Sequence, residues 1–228
     1  MTDQPAVEAV LLDVGGVFLL PDPRPICAHL SAACRLQVEP WHVERAHYAG
    51  VRALDDGGDA AAYQAAFARA LGPPAEELDA VQAALRQVWS TPKLWCYPLR
   101  ESVEGLRELA ATGRKLGIVS NADGTVEELL RAQSICQVGE GLGVPVLAIV
   151  DSTVVGMTKP DPAIFRHAAS QLGVEPERAL YVGDSVRYDV RGARAAGLRP
   201  IHFDPYGCCA SPADHPHVQK VAQVVAHL

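Results

Sequence analysis

The most regular feature of the chain is a series of short apolar runs, most of them closed by a polar or acidic residue. Residues 7–14 read VEAVLLDV, Lys115–Ser120 read KLGIVS, Val144–Asp151 read VPVLAIVD, Ala179–Asp184 read ALYVGD, and a shorter run, Arg199–Phe203, reads RPIHF. Apolar runs without alternation suit strands buried on both faces, as in a parallel sheet. Between most of them lie stretches with helical spacing: Glu101–Ala111, Thr125–Ala132, Asp161–Leu172, Val186–Ala196 and His217–His227. The third opens on Pro-Asp-Pro and stops before Gly173, a common way to start and end a helix. Strands alternating with helices predict an α/β fold built on a doubly wound parallel sheet. Ligands of such sheets collect beyond the carboxyl ends of the strands, so the polar residues that close the runs are expected to face one site.

Residues 22–92 have another texture. They are rich in alanine and arginine, with helical stretches at Pro25–Leu36, Trp41–Leu54, Ala60–Leu71 and Ala75–Trp89, punctuated by Gly57-Gly58 and Gly72-Pro73-Pro74. No strand pattern is present there. The expected organisation is a core of residues 1–20 and 93–228 interrupted by an all-helical insertion at 21–92, about 70 residues and enough for a small lobe. Asp204–Pro216, with its cysteines, prolines and histidines, reads as a loop.

Composition narrows the function mainly by exclusion. The 228 residues are 49% hydrophobic and carry a net charge of -7, which gives no attraction to nucleic acid or an anionic membrane surface. No apolar run reaches the ~20 residues needed to span a bilayer. The polar stretch Met1–Glu8 has no basic segment leading into an apolar one, so a cytoplasmic protein is expected. None of the six cysteines forms a C-x-x-C pair, which fits reduced thiols; the vicinal Cys208 and Cys209 fit loop or buried positions. Oligomeric state is not encoded in any pattern of the sequence.

Candidate chemistry sits where the apolar runs stop. Asp13 ends the first run and is followed by Gly15-Gly16, which permit close backbone approach. Asp184 ends another in the segment GDSVRYD, with Asp189 five residues on. A buried carboxylate needs a partner, and two from separate strands make a hard, oxygen-rich site suited to Mg²⁺; each alone also fits a cap or turn. Ser120-Asn121 closes a third run and could hold phosphate oxygens or cap a helix. Lys159, in TKPDP, is one of four lysines and supplies the compact charge a phosphoryl group requires. His202, His215 and His217 lack ligand spacing and read as solvated loop residues rather than a metal cluster.

Together, Asp13-Val14-Gly15-Gly16-Val17, Ser120-Asn121, Lys159-Pro160-Asp161-Pro162 and Gly183-Asp184-Ser185 with Asp189 resemble the motifs of the haloacid dehalogenase superfamily, from about Val10 to Gly197. The helical insertion resembles the first cap type of that superfamily's subfamily I. The resemblance implies a Rossmann-like core and a small phosphorylated substrate. It makes Asp13 the nucleophile that forms an aspartyl-phosphate, and Ser120, helped by Asn121, the donor to a phosphoryl oxygen. Lys159 would neutralise charge and orient Asp13. Mg²⁺ would be held by Asp13, the Gly15 carbonyl and Asp184, with Asp189 ordering Lys159 or metal-bound water.

The sequence departs from the superfamily's phosphatases at Gly15, where they typically carry a second aspartate as general acid. A phosphatase that turns over slowly, takes the proton from water or the insertion, or releases a leaving group stable as an anion is the first reading of this change. A 2-haloacid dehalogenase, whose halide leaves without a proton, is the second, and a non-catalytic phosphate-binding or regulatory protein the third. A phosphonate hydrolase with a cap lysine is disfavoured, because residues 18–92 contain no lysine. Arg24, Trp41, His42, Arg45 and His47 are candidates for substrate choice, and each also fits a surface or core place in the insertion.

Overall fold

The structure, a computed structural model, describes residues 5–211 and 213–228, which form two compact units. The first unit holds the chain up to Phe18, Pro98–Pro205 and Ser211–Leu228; the second holds Leu19–Tyr97 and Tyr206–Ala210. In chain order the elements begin with β1 (Ala9–Leu12), β2 (Leu19–Pro21), α1 (Pro23–Cys34), α2 (Pro40–Asp55), α3 (Ala60–Ala70), α4 (Leu78–Trp89) and β3 (Trp95–Pro98). They continue with α5 (Arg100–Ala111), β4 (Lys115–Ser120), α6 (Val126–Ala132), β5 (Cys136–Val138), β6 (Val144–Val146), β7 (Ala148–Asp151) and α7 (Ser152–Val155). The chain finishes with α8 (Pro162–Gln171), β8 (Ala179–Gly183), α9 (Arg191–Ala196), β9 (Arg199–Phe203) and β10 (His217–Val218).

The first unit is the doubly wound sheet expected from the sequence. Six strands lie in the order β10-β9-β8-β1-β4-β7, and every neighbouring pair is parallel. β1 sits inside the sheet because its four residues are all buried, with no polar position to turn toward water. On one face Leu11, Val119, Val150 and Tyr181 pack against Ile164 and Phe165 of α8. The chain leaves β1 to one side for β4 and β7, then returns to the other side for β8 and β9, so the switch point lies at the carboxyl end of β1.

Three expectations are corrected. Val144–Asp151 is two strands: Pro145 lacks the N–H a central ladder requires, so β6 pairs with β5 in a separate ribbon and only β7 joins the main sheet. His217–His227 is a short strand followed by a 3-10 segment, Val221–His227. Val218, Val221, Val224 and Val225 favour extended or tight backbone over an α-helix there. Val186–Ala196 begins as a π-turn, Val186–Val190, before α9.

The second unit is helical, with β2 and β3 paired as a ribbon. Ile26, Leu30, Phe67, Val81, Leu85 and Val88 belong to its core. Asp22 and Asp59 accept hydrogen bonds from Arg24 N and Ala62 N, and so cap α1 and α3. The 206–210 segment joins this unit through Tyr206, whose hydroxyl donates to Glu44 at 3.1 Å, and through the Cys208 carbonyl, which accepts from Arg52. No helix among the described residues is long and apolar enough to cross a membrane.

Gly105 in α5 tests how closely the terminal 3-10 segment is packed. A Cβ there would lie 2.5 Å from Ala222 N and 2.9 Å from Val221 Cβ. Helix propensity alone makes Gly→Ala favourable by about 1 kcal/mol, whereas overpacking against backbone costs about 1–3 kcal/mol. Gly105→Ala is therefore expected to lower the melting temperature by a few degrees, roughly 2–4 °C per kcal/mol for a chain of this size. A rise in a thermal melt would show that this contact does not constrain the fold.

Candidate active site

The residues that close the strands converge. Asp13 follows β1 directly and its N–H donates to the Val182 carbonyl of β8. Ser120 is the last residue of β4, Asp184 follows β8, and Lys159 comes from the segment between α7 and α8. Asp13, Ser120, Lys159, Asp184 and Asp189 are all buried. One oxygen from each of Asp13, Asp184 and Asp189 falls within 4.8 Å of the others.

Lys159 organises the cluster. Its Nζ lies 2.8 Å from Asp13 Oδ1, 2.7 Å from Asp189 Oδ1 and 3.1 Å from the Tyr181 hydroxyl. An ammonium has three N–H donors, so all three are used. Asp189 is held in turn: Oδ1 also accepts from the Tyr181 hydroxyl at 3.0 Å, and Oδ2 accepts from Ser185 N at 3.0 Å. The π-turn carries Asp189 inward, and Gly183 makes room for it. A Cβ at 183 would sit 2.3 Å from Asp189 Cγ, so no larger residue fits while the carboxylate keeps its place.

Asn121 is placed differently from Ser120. Its side chain accepts from Lys159 N at 2.8 Å and donates to the Lys159 carbonyl at 3.1 Å. It therefore grips the backbone that presents Lys159. Gly16 adopts φ 69° and Gly15 is not among the glycines of positive φ, so the backbone at position 15 does not itself require glycine. Of the insertion candidates, His47 is buried and bonded to the Tyr63 hydroxyl at 2.9 Å, and Arg24 pairs with Asp22 at 2.6 Å. His42 Nδ1 accepts from Glu39 N, Trp41 stacks on His42, and Arg45 is exposed.

Tyr181 is the member of the cluster that the strand pattern hides. It sits in an otherwise aliphatic run, where the ring reads as core. The signal was its hydroxyl, which needs a polar partner wherever the ring is buried.

Electrostatically, three carboxylates surround one ammonium. Burial would depress the Lys159 ammonium, but Asp13 and Asp189 outweigh it and hold its pKa above the ordinary lysine value. Asp13 fares worse, because it shares that ammonium with other acids. Burial, with Asp189 and Asp184 adding repulsion against the attraction of Lys159, raises it from 3.8 to about 7. The donor set is entirely oxygen and carries excess negative charge, which fits a hard divalent cation such as Mg²⁺.

Between about pH 4 and 7 the folded chain thus holds a proton on Asp13 that the unfolded chain releases, and stability falls as pH rises through that window. In the presence of a chelator, Asp13→Asn is expected to melt above the wild type at pH 8, with the gap closing toward pH 4. Differential scanning fluorimetry at both pH values checks this, and an equal gap at each would contradict it.

Known proteins give the cluster a context. The haloacid dehalogenase-like hydrolase family matches residues 7–197. A phosphoserine phosphatase of Thermus thermophilus is 39% identical over 109 residues, 47% of this chain and 41% of that protein. An N-acetylmuramic acid 6-phosphate phosphatase of Pseudomonas aeruginosa is 32% identical over 85% of this chain and 80% of its own length. The chain spans about half the length of the first curated relatives it matches. Among solved structures, the hydrolase YfnB of Bacillus subtilis, bound to magnesium, is 19% identical with a TM-score of 0.59, covering 98% of this chain and 99% of that one. With the family matched over residues 7–197, which include Asp13, Ser120, Lys159 and Asp184, the chain belongs to the haloacid dehalogenase-like hydrolases.

Proposed function

We propose that the protein is a magnesium-dependent phosphatase that hydrolyses a small phosphate monoester through an aspartyl-phosphate on Asp13. The observation that carries this reading is the buried ammonium of Lys159 on Asp13 Oδ1, beside two further carboxylates. With Oδ1 occupied by Lys159 and by Val14 N at 2.7 Å, Asp13 Oδ2 is the oxygen that attacks phosphorus. Ser120 donates to a phosphoryl oxygen, and Asn121 acts through Lys159. Asp13, the Gly15 carbonyl and Asp184 hold Mg²⁺, which when bound offsets charge on the transferring phosphoryl group. Asp189 and Tyr181 fix Lys159. Water then cleaves the acyl phosphate and regenerates Asp13. The phosphatase names of the relatives support a small phosphorylated substrate.

Gly15 has no proton to give a departing alkoxide. General acid catalysis is worth about 10²–10⁴-fold, so aryl, acyl or sugar-anomeric phosphates, which leave as stable anions, suit the site better than alkyl esters. Gly15 also favours a second reading, halide displacement from a 2-haloacid. That reaction has no use for a cation, and it leaves the oxygen cluster of Asp13, Asp184 and Asp189 without a purpose.

Release of p-nitrophenol from p-nitrophenyl phosphate is expected to require Mg²⁺, to stop in EDTA, and to fall by roughly 10³-fold or more in Asp13→Asn, as for loss of a nucleophile. Absence of turnover together with chloride release from 2-chloropropionate would establish the second reading. Gly15→Asp is expected to raise turnover of an alkyl phosphate while barely changing that of the nitrophenyl ester. Equal effects on both, or none, would remove the role assigned to the missing acid.

A further inference from the structure

A second polar cluster lies at the edge of the sheet, outside the chemistry assigned to Asp13. Sequence spacing gives His202, His215 and His217 no ligand pattern and reads them as solvated; the structure corrects this by bringing them together. His202 is in β9 and His217 in β10, the two strands pair in parallel, and His202 stands opposite His217. His215 lies in the bend just before β10. The ring centroids are 4.9 Å apart for His202 and His217, 5.2 Å for His202 and His215, and 4.5 Å for His215 and His217. His202 and His215 are buried, and His217 is half-buried.

The outward contacts of two rings fix where their protons sit. His202 Nε2 lies 2.9 Å from the Asp184 carbonyl, which can only accept, so Nε2 carries the hydrogen and Nδ1 the lone pair. His217 Nδ1 faces the Asp204 carboxylate at 3.5 Å, which places its hydrogen there and the lone pair on Nε2. That Nε2 is buried and has no hydrogen-bond partner among the described residues. His215 Nε2 lies 3.2 Å from His202 Nδ1. One nitrogen from each ring falls within 4.8 Å of the other two.

We propose that His202, His215 and His217 form a second metal site, for Zn²⁺ or a similar borderline transition-metal dication, distinct from the carboxylate site. Three observations carry it. Lone pairs of rings on adjacent strands converge, and a buried imidazole nitrogen among them lacks a partner that a cation would provide. The 3.2 Å separation matches the edge of a tetrahedron with metal–nitrogen bonds of 2.0–2.1 Å, about 3.3 Å. The far nitrogens of His202 and His217 are already turned to a backbone carbonyl and a carboxylate, the arrangement that orients histidine ligands. Imidazole donors favour zinc-like ions over Mg²⁺, which prefers oxygen. Burial and the neighbouring rings push the pKa values of His215 and His217 down. Asp214 and Arg194 also act on His215, and Asp204 on His217.

The test measures zinc alone, independently of catalysis. The full chain is stripped with chelator, equilibrated with excess Mg²⁺ to occupy the carboxylates, and dialysed against micromolar Zn²⁺. Retained zinc is then counted by atomic emission. The wild type and Asp13→Asn are expected to keep one zinc per chain. Asp204→Asn, which leaves all three rings in place, is expected to bind 10–100-fold more weakly, the usual effect of losing a ligand's orienting partner. His217→Gln, with circular dichroism as the control for folding, is expected to keep none. A wild type that retains no zinc overturns the proposal whatever the variants do, and so does a folded His217→Gln that retains it undiminished.

Discussion

One buried ammonium holds the candidate site together. Lys159 reaches two carboxylates and a phenol that come from different parts of the chain: Asp13 after β1, Tyr181 within β8 and Asp189 in the π-turn beyond it. A lysine buried here keeps its charge because Asp13 and Asp189 together outweigh the cost of burial. The surrounding sequence is constrained accordingly. Asn121 fixes the Lys159 backbone from both sides, Ser185 N holds the far oxygen of Asp189, and Gly183 leaves the space that Asp189 fills. β1, β4 and β8 are neighbours, so the sheet delivers these groups to one edge without a long loop.

Much of this was legible because the strands of a buried parallel sheet leave a strong signal. Lys115–Ser120 and Arg199–Phe203 were read to the residue, since each run is bounded by polar or turn-forming neighbours. The candidate residues were legible for the same reason: a polar residue that ends a buried strand has few places to go. What was not legible depended on long-range pairing. The sequence of Val144–Asp151 does not tell that Val144–Val146 will find Cys136–Val138, though Pro145 was a sign that the run would break. His217 and Val218 look helical by local spacing, and only the partner strand β9 makes them extended. Tyr181 was hidden because its role is a hydrogen bond to Lys159, 22 positions away, and Asn121, expected at a phosphoryl oxygen, instead bonds the Lys159 backbone, 38 positions away.

The two candidate sites are connected through one residue. Asp184 contributes its carboxylate to the oxygen cluster and its backbone carbonyl to His202 Nε2. The hydrogen bond comes from β9, the strand next to β8, so the segment that positions Asp184 is anchored from the neighbouring strand as well as from its own. His202 must keep its proton on Nε2 for this anchor to exist. A cation on Nδ1 is compatible with that tautomer, and protonation of both nitrogens would keep the anchor but eliminate the lone pair. Structure at the sheet edge and charge at its centre are thus linked by a single imidazole.

The oxygen site is rich in charge and poor in transferable protons. All three protons of Lys159 are engaged, and its pKa is raised by the carboxylates it serves. The Tyr181 hydroxyl is spent on Asp189 and is held well above its ordinary pKa by burial and by the acids around it. Gly15 supplies nothing. A cation that lowers the Asp13 pKa to make it a nucleophile would bring no proton donor of its own, so the electrostatics that favour attack on phosphorus do not supply a proton to the group that leaves. Under the phosphatase reading, the burden of departure falls on the substrate: its leaving oxygen must carry negative charge well by itself or take a proton from water.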